Sequence, residues 1–288
     1  MKISINGSPV DFTLEKEQTA EDILTGMSSW LEDRGMLVAG IQLNGEAVSL
    51  DGAEWKKNMV ESIDTMEFQV MDHREARASQ LQTARDFFTL MNQAAASSDS
   101  TALEELAAGY EDVKKLLPHL LSEGTVPADP NMLDSSLANA GFPPSGGKSC
   151  NFDSIASDTG RMALILDARF QETASPQKTA RSTVSTLVSI AENLEDVAVQ
   201  LQTGKDKEAM KTIVVLSEML QSLMRSLSWL PPSDKSREII SDMNSVLYEL
   251  EEALKASDTV LIGDLLEYEI KPQLLELPGR LDAAGETE

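Results

Sequence analysis

The sequence predicts an α+β fold, a small sheet domain followed by an antiparallel helical domain of helix hairpins. Three observations predict it. Over residues 1 to about 72, apolar residues alternate with polar ones and Asn-Gly pairs separate the runs, as in short hairpin-linked strands. From about residue 75 the apolar spacing changes to i, i+3, i+4, i+7, the period of a helix with one buried face. The clearest helical stretch, Met243–Leu277, reads as a complete hairpin with a polar break at Ala256-Ser257-Asp258.

The first elements follow in order. Lys2–Ile5 alternates, Asn6-Gly7 supplies a turn that needs positive φ, and Val10, Phe12 and Leu14 form a return strand. Thr19 is placed to cap a helix with Asp22 reaching back, and Ile23, Leu24, Met27, Trp30 and Leu31 give that helix its buried stripe. Gly35 ends it in the left-handed conformation. Leu37–Leu43 is a strand, Asn44-Gly45 turns it into Glu46–Leu50, and Thr65–Met71 closes the domain with Met66, Phe68 and Val70 on one face. The order is β-β-α-β-β-β.

These residues resemble the β-grasp fold, and within it the small ThiS/MoaD sulfur-carrier branch. The most specific part is Val38–Val48 (VAGIQLNGEAV) followed by Trp55 and the closing strand. The resemblance covers about a quarter of the chain. Such carriers work through a C-terminal Gly-Gly. The corresponding end here is Val70-Met71-Asp72-His73-Arg74, so the resemblance implies a ubiquitin-like recognition domain without the carrier chemistry.

In the helical part, Leu81, Ala84, Phe87, Phe88, Met91 and Ala95 form one stripe. Leu103, Leu106, Tyr110, Val113 and Leu117 form the next, with Thr101 and Glu104 spaced as a capping box and Pro118 expected to kink or shorten the helix. Residues 124–159 are punctured by prolines and glycines and read as an irregular loop. Arg161–Phe170 is a short helix. A second hairpin pairs Val184–Leu201 with Met210–Leu227 across Gly204 and a capping Asp206; the third is Met243–Leu277, with Asp258 as cap and Leu261, Leu265 and Tyr268 beside Ile262, Leu266 and Ile270 as its second apolar face. The expected domains are 1–74, 75–277 and a flexible tail, 278–288. Asp99, Asp206 and Asp258 give the three turns a shared chemistry, compatible with an old repeat and equally with the needs of any helix-turn-helix.

Composition narrows the function. The 288 residues carry 48 Asp+Glu against 24 Lys+Arg, a formal net charge of −24. Such a surface repels nucleic acid and anionic lipid, and suits solubility or a basic partner. No apolar run approaches the roughly 18 residues of a membrane span, and the N-terminal stretch lacks the pattern of a secretory signal. One cysteine, Cys150, fits a reducing compartment, and the expected location is cytoplasmic.

Catalytic signals are weak. Gly141–Ser149 (GFPPSGGKS) has Phe142 where a phosphate-binding loop needs glycine, and its two prolines remove N–H donors. Cys150 has only His73 and His119 as candidate bases, both distant in sequence, and one Cys with two isolated His supplies no zinc-ligand pair. Neither His has the Glu three residues earlier that a di-iron bundle requires. Asp264, Glu267 and Glu269, with Glu249, Glu251 and Glu252 on the preceding helix, can form a hard-cation site or a solvated face. Met210, Met219, Met224 and Met243 lie among leucines, and Trp229 ends a helix; they read as core packing or as an adaptable groove for a partner helix.

The leading expectation is a non-catalytic, cofactor-free adaptor or regulator that binds protein partners, basic or with an exposed apolar helix, through Met210, Met219, Met224, Trp229 and Met243. The alternatives are a chaperone-like escort for secreted or filament-forming subunits, and an enzyme or metal protein using the loop at 141–150.

Overall fold

The computed structural model describes residues 1–11, 17–121, 130–144, 150–203 and 205–285, and only the backbone of 130–132, 206, 284 and 285. Phe12 and Leu14, Gly146–Ser149, Gly204 and the Asp206 side chain lie outside what it describes. The fold is α+β, a mixed five-stranded sheet followed by helices, in two compact units, Met1–Ser79 and Gln80–Glu288.

The first unit contains β1 (Lys2–Ile5), β2 (Ser8–Val10), α1 (Ala20–Glu32), β3 (Met36–Leu43), β4 (Glu46–Val48), α2 (Ala53–Lys56), a 3-10 turn (Val60–Ser62) and β5 (Thr65–Asp72). The sheet order is β2-β1-β5-β3-β4, with β1 parallel to β5 and the other pairs antiparallel. Both hairpin turns have positive φ at both central residues, Asn6 and Gly7 (48° and 78°), then Asn44 and Gly45 (51° and 86°). That is the mirror-image turn whose twist matches paired strands. The inward residues Ile3, Ile41, Leu43, Met66 and Phe68 pack against Ile23, Met27 and Leu31 of α1 in one core, a β-grasp-like arrangement. Thr19 accepts from the Asp22 amide at 3.2 Å, and the Asp22 carboxylate accepts from the Gln18 and Thr19 amides, each at 2.9 Å. Asn6 of the first turn exchanges two bonds with the Val70 backbone, both 2.9 Å, and so ties turn to strand.

The helices are α3 (His73–Ala96), in which the unit division falls, α4 (Ser100–Leu121), α5 (Pro130–Asn139), α6 (Phe152–Ala174), α7 (Pro176–Ala191), α8 (Leu194–Gln202), α9 (Asp206–Ser228), α10 (Asp234–Lys255), α11 (Thr259–Asp264) and α12 (Lys271–Gly285). A π-helical turn, Leu265–Ile270, joins α11 to α12 without a break. Two apolar cores result. One takes Leu81, Phe88, Met91, Leu103, Leu117, Ile155, Met162 and Leu166 from α3, α4 and α6; the other takes Leu187, Leu216, Leu220, Leu223, Leu250, Leu266 and Leu274 from α7 to α12.

Several local expectations change. The helix expected at Arg161–Phe170 is α6, which starts at Phe152 inside the segment read as loop. Asn151 caps it by accepting from the Ser154 amide at 3.1 Å, and Ile155, Thr159 and Met162 are buried. Its Asp158, a poor interior residue, is held by the Ser136 hydroxyl and by Arg161, both at 2.5 Å. The helix expected over Val184–Leu201 is two, α7 and α8, parted at Glu192-Asn193, where Asn193 donates its side-chain amide to the Ser189 carbonyl. Asp99, not Thr101, caps α4, accepting from the Ala102 amide at 3.0 Å. Helix α4 continues through Pro118 to Leu121, and α12 runs through Pro278 to Gly285. Lys205 occupies the cap position of α9 without a side-chain cap bond.

Candidate protein-binding surface

The five residues expected to meet a partner do not share one face. Met243 is fully buried, at 0 % exposure, in the core of α7 to α12. It therefore offers no surface. Met210, Met219 and Met224 are partly buried and pack against the same core from α9. At roughly 100° per residue, Met210 and Met224 fall on one border of the buried face of α9 and Met219 on the opposite border. The line Ile213–Leu216–Leu220 runs between them into the core. Trp229 is partly exposed at the end of α9.

The groups considered for chemistry lie in different segments of the chain. Cys150 is half-buried and donates its thiol to the Gly141 carbonyl at 3.2 Å, beside a shallow opening lined by Ser98, Asn139, Asn151 and Asp153. His73 starts α3 and His119 lies near the end of α4, both exposed. Among the described residues no group of three His, Cys, Asp or Glu is placed to hold a metal.

Four exposed large apolar side chains, Val260, Leu261, Tyr268 and Leu275, lie elsewhere, on the continuous helix Thr259–Gly285. Four of its buried residues, Ile262, Leu266, Ile270 and Leu274, recur every four positions, with Leu265 and Leu277 buried beside them. In a regular α-helix, four residues overshoot a full turn by about 40°, so such a line would wind off the core. The π turn takes more residues per turn and brings it back. The Lys271 amide donates to the Leu266 carbonyl, five residues earlier, as a π turn requires. Pro272 supplies the cause: it has no amide hydrogen, and its ring crowds the carbonyl four residues before it.

The outward residues keep the same four-residue step. Val260, Asp264, Tyr268 and Pro272 follow one line, flanked by Leu261 and Leu275. Val260 is 60 % exposed and Tyr268 67 %. Leu261 and Tyr268, expected on the buried face, thus point to solvent. Nearby, α8 packs on α11, with Ala198 over Gly263, and its Val199 is 56 % exposed. Carboxylates surround this stripe. Glu267, then the charges of Asp264 and Glu195, push the Tyr268 phenol above its ordinary pKa. The adjacent cation Lys271 is engaged by Glu195 at 2.5 Å. The four-residue recurrence was the sequence signal for this face, and Pro272 the signal for the turn that creates it.

The chain is similar to two protein families. A family described as the TP0873 N-terminal domain matches residues 1–72, ending on the last residue of β5. A second, described as a domain of unknown function (DUF8042), matches residues 178–278, from the start of α7 into α12. No curated protein and no solved structure matches. No described helix is long and apolar enough to cross a membrane.

Proposed function

We propose that the protein is a non-catalytic adaptor or regulator that binds other proteins, with a ubiquitin-like β-grasp unit for recognition and a helical unit that receives a basic amphipathic helix. The observation that carries this reading is the exposed Val260–Tyr268–Leu275 stripe set among carboxylates. An aromatic anchor with apolar neighbours supplies contact area, and the surrounding acidic groups favour a partner carrying lysine or arginine. A partner helix lying along Thr259–Gly285 meets Val260, Tyr268 and Leu275 at helical spacing, the helix-in-groove mode of recognition.

The test is affinity capture from native lysate with the full-length protein and with a Val260→Asp/Tyr268→Asp variant, followed by mass spectrometry and by titration of the identified partner. Both positions are exposed, so the variant keeps its helical circular dichroism. The expected result is a partner with a basic amphipathic helix whose affinity falls by about 2 kcal/mol or more, the scale of an interface hot spot. Equal affinity for both proteins overturns the reading. An acidic or folded β-rich partner at this face does so as well.

A further inference from the structure

Strand β3 is paired with β5 from Met36 to Leu43, with a bulge at Ala39, and along three residues on the other side. Its register with β5 runs from Met36 opposite Asp72 to Leu43 opposite Met66, whereas β4 covers only Ile41–Leu43. The cause is local. Beyond Val48 the chain turns away from β3, and there the Ser49 carbonyl accepts from Trp55 Nε1 at 2.7 Å and from the Gly52 amide at 2.9 Å. Among the described residues Met36–Gly40 therefore has no strand on that side. In an antiparallel strand about every second residue directs its N–H and C=O away from a given neighbour, so this edge presents backbone donors and acceptors ready for another chain.

Beside the edge lies an opening of about 270 Å³ lined by Leu24, Ser28 and Glu32 of α1, Leu37 and Val38 of β3, and Leu50. The four aliphatic side chains are half-buried. Glu32 is exposed and has no ion-pair partner among the described residues. The neighbouring cation Arg34 is turned onto the Trp30 ring, 4.0 Å from its centroid, and donates to the Trp30 carbonyl. An unpaired strand edge, an apolar opening beside it and one unneutralised carboxylate specify an occupant.

We propose that the Met36–Gly40 edge of β3 receives an extended segment of a partner protein, adding a strand to the sheet. Its alternate side chains are aliphatic and fill the α1–β3 opening, and a lysine or arginine of the segment pairs with Glu32. Main-chain bonds supply affinity in this mode and the pockets for alternate side chains supply specificity. The inference rests on the protein-binding reading and names a second surface for it, on the β-grasp-like unit.

The test uses the full chain and three seven-residue capped peptides. The first alternates valine with lysine and threonine; the second has glutamate for each lysine; the third is the first with proline at its centre. Binding is measured by fluorescence anisotropy and located by backbone amide hydrogen exchange. The first peptide is expected to slow exchange within Met36–Gly40 and to bind at least tenfold more tightly than the other two. In Glu32→Lys the preference between the basic and acidic peptides reverses while the parent's thermal melting is kept, and in Leu50→Ser, which also trims the packing of that core, all affinities fall. The proposal is overturned by no protection of Met36–Gly40 at 1 mM peptide, by protection confined to other segments, or by an unchanged preference in Glu32→Lys. Dimerisation of the free protein through this edge also overturns it. Val260→Asp/Tyr268→Asp separates the two surfaces. Edge binding that fails while this helical variant still loses its captured partner sinks the strand-addition proposal alone, and the reverse pattern sinks the helical-face reading alone.

Discussion

Asp22 does its work through two backbone amides. Bonds from Gln18 and Thr19, in that order of size, hold its carboxyl below the ordinary aspartate range. A carboxylate whose folded pKa is depressed contributes stability that is complete above its unfolded value and is lost as pH falls through the folded one. The Asp22 carboxyl is therefore expected to titrate by NMR below an unstructured aspartate, and the start of α1 to loosen only in that acidic window. Thr19→Ala, which removes the other half of the box, is expected to cost about 1 kcal/mol in chemical denaturation. A different logic governs Glu172, whose side chain is 3 % exposed. It accepts from Arg225 Nε at 2.7 Å and Nη2 at 2.8 Å and from Arg169 at 3.2 Å, linking α6 to α9. Glu172→Ala leaves guanidinium groups in a site built around a carboxylate, and a loss of about 3–5 kcal/mol is expected in urea unfolding. Apolar replacement of all three residues together is expected to recover much of that loss. The two cases show why one was legible in the sequence and the other was not. Thr19 and Asp22 are three residues apart, and helix-start chemistry writes both; Glu172 and Arg225 are 53 residues apart, and no spacing rule joins them.

At the scale of the element, the helix Thr259–Gly285 explains the main failure of periodicity. Reading Leu261, Leu265 and Tyr268 beside Ile262, Leu266 and Ile270 as one apolar face assumed a regular α-helix, in which spacings of three and four alternate along a face; of these six, Leu261 and Tyr268 are exposed and the other four buried. Four of the buried apolar residues, Ile262, Leu266, Ile270 and Leu274, step by four, with Leu265 and Leu277 buried beside them, and the π turn absorbs the excess. Deleting Glu269, which is exposed, converts that run to steps of four, three and four. Those steps fit an ordinary α-helix, so the deletion is expected to leave the fold intact and the melting temperature close to the parent's. Deleting Glu249 from α10, also exposed, is the contrast. It turns Leu250 and Ala253 about 100° relative to Met243 and Val246, and burying a leucine is worth roughly 1.5–3 kcal/mol. Circular-dichroism melts of the two deletions are expected to differ by well over 10 °C. A large loss in both would mean that the turn itself, and not its register, holds the helix in place. The Met residues make the complementary point. Composition placed them among leucines, but only the packing of α9 decides that Met210 and Met224 lie on one border and Met219 on the other.

At the scale of the molecule, the sequence announced the change from sheet to helix because strand and helix have different periods. It could not announce how the helices divide their apolar residues into cores. Among the described residues the first unit has one core and the second has two, and no residue belongs to more than one. Cooperative unfolding follows shared packing, so the two units are expected to melt in separate calorimetric transitions. Thr19→Ala is then expected to move only the transition of residues 1–79, and Glu172→Ala only that of residues 80–288. Within the second unit, α6 carries the connection. It contributes Ile155, Met162 and Leu166 to one core, packs on α7 and α9, and holds Arg225 of α9 through Glu172. If that ion network is what makes the two helical cores unfold together, Glu172→Ala will split their transition and not merely lower it. Hydrogen exchange will then show α7 to α12 opening at a different free energy from α3 to α6. A single, uniformly lowered transition would assign their cooperativity to the packing of α6 on α7 and α9, with the buried ions contributing stability alone.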